Sequence, residues 1–236
     1  ASYYLNKPQS EDEQIFLDTY FRTIKDHEIP RRSWAYILTD FAFKSLQKND
    51  RTCFWVVSLD PNRVAYVHDV EIGRWKPGES LRRLCALWDQ YQAWNLRAIT
   101  IEDTTHKELL QGMLEEIRRE TFIRPRIIPI PGRSQETKNM RIEGVEPRFR
   151  AGNIYFAESF RAKHRVWKEV TDEMTEWPFS QHDDIPDAIS DIDKQDEKNK
   201  FLLAAPPHGW RANITQAHQP AVVASGRDGA FRPNPN

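Results

Sequence analysis

Residues 31–43, RRSWAYILTDFAF, form a run that is apolar on both alternating faces and is interrupted by one acid, Asp40. A strand apolar on both sides belongs at the centre of a sheet covered by helices on each face. An ionised carboxylate inside such a strand is costly unless it is paired, hydrogen-bonded or on a metal. The run therefore predicts a covered α/β sheet and asks what Asp40 is for. A satisfied acid at a strand end is the plainer answer, and a metal ligand the sharper one.

Working outward, TCFWVVSLD (52–60) and RVAYVHDVEIG (63–73) are further strands, joined by the turn residues Asp60, Pro61 and Asn62 as an antiparallel hairpin. Alternation in the third strand puts Val64, Tyr66, His68, Val70 and Ile72 on one side, which predicts a sheet edge. After KPGES comes an amphipathic helix with Leu81, Leu84, Cys85, Trp88 and Tyr91 on one face. LRAITIED (96–103) is a short strand carrying Glu102 at its end, and a second helix turns Leu110, Met113, Leu114 and Ile117 inward. RPRIIPI and NIYF (153–156) add strands, and 158–177 adds a helix. The order predicts an α/β fold whose mixed sheet has three antiparallel strands, then parallel strands joined by crossover helices.

QHDDIPDAISDI (181–192) opens the last helix, expected over 184–197. Ile185, Ala188, Ile189 and Ile192 fall on one stripe, with Asp184 as N-cap, Pro186 in the first turn, and Asp184, Asp187 and Asp191 on the opposite side. Asp187 is read as structural, on the outer face of the first turn. Residues 1–30 are polar and irregular, with a short helix around Gln14–Ile24, and read as a lead-in outside the core; 31–200 form the domain; from 201 the composition shifts to a tail read as disordered.

Composition narrows the class. At 39% hydrophobic the chain can bury a core, and 34 Lys+Arg against 35 Asp+Glu gives no bulk charge announcing a nucleic-acid partner. Its distribution is uneven: basic residues crowd 118–168 and acids crowd 172–197, which suits a polyanion held over metal ions or, more plainly, ordinary solvated helix faces. Cys53 and Cys85 lie in apolar runs without metal-ligand spacing. No apolar run is long enough to span a membrane, and no Walker A, GxGxxG or GxSxG pattern is present.

Three acids can converge. If the strand ending at Glu102 lies parallel beside the one ending at Asp40, the two sit about 4.8 Å apart, near the roughly 3.5–4 Å between ions in two-metal phosphoryl-transfer sites. The helix headed by Asp183 and Asp184 can close the same pocket. Hard divalent ions take such oxygens. The plainer alternatives are a surface loop acid at Glu102, a helix cap at Asp103, and hydrogen-bonding roles for His106 and His182.

Taken in order, a strand Asp, a strand-end Glu and HDDIPDA before a helix resemble the nuclease domain of the large terminase subunit of tailed bacteriophages and herpesviruses, over about residues 2–193. SYYLNKP is similar to the segment closing the preceding ATPase domain, and KNMRIEGVEPRFRAGNIYF (138–156) to a Lys-x-x-Arg-Ile run followed by a Gly and a small strand. The resemblance implies an RNase H-like fold and a missing ATPase domain before residue 30. It also implies a two-metal endodeoxyribonuclease that cuts concatemeric viral DNA at packaging initiation and termination, leaving 5′-phosphate and 3′-hydroxyl ends. Asp40, Glu102 and Asp183 would be catalytic and would hold two Mg²⁺ or Mn²⁺ ions, with Asp184 as a further ligand or a competitor for the third place. Lys138 and Arg141 would contact the DNA backbone, unless they are salt-bridged surface residues. No organic cofactor is implied. The partners implied are double-stranded DNA, the portal protein and the small terminase subunit, with a monomeric isolated domain, no membrane, and the cytoplasm of the infected host as its place. Two alternatives stay open: another RNase H-like nuclease, such as a junction resolvase or transposase, and a non-catalytic DNA or portal docking module.

Overall fold

A computed structural model describes residues 14–42, 51–103, 107–121, 125–131, 135–194 and 200–210. Its seven strands, in chain order, are β1 (Thr23–Ile24), β2 (Trp34–Asp40), β3 (Thr52–Leu59), β4 (Ala65–Gly73), β5 (Leu96–Asp103), β6 (Ile127–Pro131) and β7 (Ile154–Ala157). They form one mixed sheet in the order β1-β7-β4-β3-β2-β5-β6. The meander β2-β3-β4 is antiparallel and every other pairing is parallel. This is the expected architecture.

Helices α1 (Pro77–Tyr91) and α2 (Lys107–Thr121) cover one face; α3 (Gln135–Arg150), the short α4 (Glu158–Arg161), α5 (His164–Glu176) and α6 (Asp184–Ser190) cover the other. On the first face Leu81, Leu84 and Cys85 pack with Ile37, Phe54, Val56 and Ile99, and Trp88 and Tyr91 close the rim. Met113 and Leu114 join them from α2, while the side chains of Leu110 and Ile117 lie outside the described ones. On the second face the stripe Ile185, Ala188, Ile189 and Ile192 is fully buried against β2 and β3. Each isoleucine so buried contributes roughly 1.5–3 kcal/mol, which seats α6 on the sheet.

Several expectations are corrected. β4 is an interior strand between β3 and β7, not an edge. Its alternation also breaks: Val56 pairs with Asp69 but Val57 with Val67, so His68 is an extra residue and the faces exchange there. Ala65 and Val67, rather than Val64 and Tyr66, therefore share a face with Val70 and Ile72. Residues 14–30 are not outside the core, since Phe16, Phe21 and Ile29 are buried in the larger cluster; in place of a helix they hold a 3₁₀ turn at Asp18–Tyr20 and β1. Residues 201–210 of the expected tail also pack on the domain: Leu203 is buried, Tyr36 Oη donates to the Ala204 carbonyl at 2.8 Å, and the Trp210 ring meets Trp34 edge-on. Residues 211–236 lie outside the described ones.

A further correction is α3, a 16-residue helix where only a basic run was expected. Gly144 and the internal Pro147 hide it, because each lowers helix propensity and the proline lacks the N–H for the i→i−4 bond. Ile142, Val145 and Phe149 nonetheless recur at helical spacing and are all buried. The stretch 158–177 is divided into α4 and α5, and the last helix ends at Ser190, followed by a 3₁₀ turn at Asp191–Asp193.

Candidate metal centre

β2 and β5 run parallel, with Ile37 opposite Ile99. Asp40 and Glu102 each lie three residues beyond that pair, the last the two strands form, toward the carboxyl ends. Tyr36 and Leu38 on β2, and Ala98 on β5, face the larger core; Asp40 and Glu102 share their parity and so point to the face carrying α3, α5 and α6. Just below them the Thr39 amide donates to Thr100 Oγ1 at 3.2 Å, tying the two strands. Both acids are half-buried. Cys53 stands opposite Asp40 on β3, and burial, reinforced by the negative charges of Glu173, Asp40 and Asp184, holds its thiol well above the ordinary range. It is a protonated core residue.

The head of α6 is held differently from expectation. Asp183 occupies the N-cap position without a side-chain cap bond, and Asp184 is the first helical residue. The cap comes from α5 instead: the Ile185 amide donates to Glu173 Oε1 at 2.9 Å. Arg51, at the foot of β3, fastens this corner. Its Nε donates to Asp184 Oδ2 at 3.0 Å, its Nη1 to Glu169 Oε1 at 2.9 Å, and its Nη2 to Glu173 Oε2. Burial raises the Asp184 and Glu173 carboxyls above their usual range, with Arg51 opposing in each case. Burial would depress the guanidinium, but its bonds to Glu173 and Asp184 outweigh it.

Asp183 faces the other way. Its side chain is 40% exposed and its Oδ1 lies 2.8 Å from Lys138 Nζ, which also stands 3.2 Å from Asp187 Oδ2. Asp187 is buried, not on the outer face, and its other oxygen accepts from Arg141 Nη2. Arg141 Nε donates in turn to Ser190 Oγ at 3.4 Å. Burial would lower the Lys138 ammonium, yet Asp187, then Asp183 and Asp40, hold it above its ordinary value. His182 is lowered by burial and by Arg51.

The structure thus sets Asp40 and Glu102 at the carboxyl ends of neighbouring strands, brings Asp183 to a lysine whose charge Asp40 also favours, and diverts Asp184 to Arg51. Among the described residues no three Asp, Glu, His or Cys side chains close into a ready cage. The donor set nevertheless suits a hard cation, since its members are carboxylate oxygens, and one positive group, the Lys138 ammonium, already sits against one of them, Asp183, with Asp187 on its other side. Glu102 stands at the rim of the sheet, since it also borders a cavity of about 460 Å³ with Leu114, Arg118 and Ile127 toward α2, on the other side of the sheet from α6. His106 and the Asp103 side chain lie outside the described residues. Arg51, Glu169 and Glu173 escaped sequence reasoning, although Glu173 interrupts the apolar stripe Val166, Val170, Met174 and Trp177, an anomaly of the same kind as Asp40.

Among the described residues no helix is long and apolar enough to cross a membrane. A family model, the terminase RNaseH-like domain, matches residues 37–192, well over half the chain. No curated protein matches. Among solved structures, the large terminase nuclease from thermophilic phage G20c with bound cobalt is similar at a TM-score of 0.50 and 14% identity, over 73% of this chain and 91% of that one. The same nuclease with bound magnesium gives the same values. The human cytomegalovirus terminase nuclease domain, manganese-soaked and inhibitor-bound, is similar at 0.51 and 13% identity, over 75% and 93%. At such identities these likenesses speak to fold alone, an RNase H-like α/β sheet. Together with the family match over the sheet and α6, they establish that the chain belongs to the terminase RNaseH-like domain family.

Proposed function

We propose that this domain is a metal-dependent endodeoxyribonuclease that cuts concatemeric viral DNA when genome packaging starts and ends. The carrying observation is the pair Asp40 and Glu102, each three residues past the paired Ile37 and Ile99 on adjacent parallel strands, with the Asp183-headed helix packed on β2 and β3 beside Asp40. Asp40, Glu102 and Asp183 form the ligand set for two Mg²⁺ or Mn²⁺ ions, and Asp184, bound by Arg51, falls outside it. Bound there, the ions supply the charge that makes a water nucleophilic near neutral pH and neutralises the scissile phosphate.

The chain's own residues hold and orient. The two strand-end acids are fixed by the Thr39–Thr100 tie, and Asp183 is fixed by the burial of α6 and by Glu173 and Arg51 behind it. Lys138, held by Asp183 and Asp187, reaches a backbone phosphate only where it releases one of them, a contact that positions DNA without reading bases. Arg141 is turned inward to Asp187 and positions α6. The portal and small terminase subunit as partners, a monomeric isolated domain and a host-cytoplasmic setting all belong to the same proposal.

Plasmid digestion tests it. Purified chain should nick and linearise supercoiled DNA with Mn²⁺ or Mg²⁺ and stop in chelator. Asp40→Asn and Asp183→Asn should reduce cutting below detection, whereas Asp184→Asn should keep most of it. DNA left intact across wide ranges of salt and protein would sink the nuclease assignment. Undiminished cutting by Asp40→Asn would relocate the site, and preference for four-way junctions over linear duplex would favour a resolvase.

A further inference from the structure

Lys138 reaches the cleft from α3, a different element from any that carries the acids, and its ammonium bridges Asp183 and Asp187. Its side chain is only 16% exposed. A cation that ordinarily seeks water is thus drawn in among carboxylates, one of which belongs to the proposed ligand set. We infer that Lys138 is a built-in counter-ion of the metal centre, competing with divalent ions for Asp183 and setting the metal concentration at which the cleft fills. This rests on the assignment of Asp40, Glu102 and Asp183 as ligands.

Two features make the competition workable. Asp187 has a second, independent partner in Arg141, so α6 stays seated when Lys138 loosens. Lysine also carries a compact charge on a flexible four-carbon stem, which can release one oxygen while keeping another. A divalent ion arriving at Asp183 meets like charge a few ångströms away, and that repulsion weakens its binding. The same ammonium offsets the mutual repulsion of Asp183 and Asp187 when no ion is present.

The test is a Mn²⁺ titration of the full chain without DNA, following the free ion by electron paramagnetic resonance. Lys138→Met should bind Mn²⁺ about tenfold more tightly or better. Lys138→Arg, which keeps the charge, should bind as weakly as the parent, and Asp40→Asn should lose binding. Lys138→Gln serves if the methionine variant does not fold, as judged by its melting curve. Unchanged or weaker affinity in a folded neutral variant, with parent binding and Asp40→Asn loss both intact, overturns the inference and leaves the metal assignment standing. No binding by parent and neutral variants alike removes both.

Discussion

Asp183 and Asp184 are chain neighbours with separate fates. One meets Lys138 and the cleft, the other Arg51 and the core. Adjacency gave no means of telling them apart, because the deciding partner of Asp184 lies 133 positions away in sequence. Asp40 was legible for the opposite reason: an acid in a doubly apolar strand is anomalous in one dimension, before any partner is known. His68 was not legible at all. Its ring, 2.8 Å from Ser58 Oγ and close to Trp94, is buried, and burial lowers it from 6.5 to about 3, with Asp26 opposing and Arg31 adding to the effect. A depressed folded value means that protonation favours the unfolded chain. His68 therefore contributes stability above about pH 6.5 that is lost as pH falls toward 3, at about 1.4 kcal/mol per pH unit. The raised Asp184 and Glu173 carboxyls act with the opposite sign, being easier to protonate when folded. Urea denaturation of parent and His68→Asn at pH 7 and pH 5 should show a smaller acid loss in the variant. An equal loss would mean that His68 does not carry the effect.

At the scale of elements, α6 is seven residues long and has no cap of its own, so its place depends on α5 and β3. Arg51 joins all three, its side chain 8% exposed among three carboxylates. Removing one member of a buried ion cluster leaves the others unpaired, at a cost of about 3–5 kcal/mol. Arg51→Met should lower unfolding free energy by that amount in denaturant, and a loss within the noise of a surface substitution would show the cluster to be solvated. Because the cluster also orients the helix head, the variant should weaken Mn²⁺ binding without touching a ligand. Elements with unbroken periodicity, α1 and the α6 stripe among them, were legible from the spacing of their apolar residues alone. α3 was obscured by Gly144 and Pro147, and the faces of β4 by one extra residue at His68, since parity along a strand survives no insertion.

Across the whole molecule, the sheet separates two ends. The acids stand at the carboxyl end of β2, while residues 200–210 run along its other end: Tyr36 reaches Ala204, Arg63 Nη1 donates to the Leu203 carbonyl at 2.7 Å, and Trp210 meets Trp34. This strap was invisible in a segment rich in Ala and Pro, where Phe201, Leu202 and Leu203 stand together without periodicity. Ending the chain at Lys194 removes the burial of Leu203 and these bonds, and should lower the melting temperature by about 5–10 °C, on the scale of 2–4 °C per kcal/mol for a domain of this size. A transition unmoved by the truncation would show the strap to be loosely held. The seat of α6 is supplied by isoleucines, arginines and a lysine, all of them organic and permanent. Folding and chemistry are therefore separable accounts in this chain: a descendant that lost Asp40 would keep the same sheet and the same helix. Possession of the fold is no certificate of cutting, which must be assayed chain by chain.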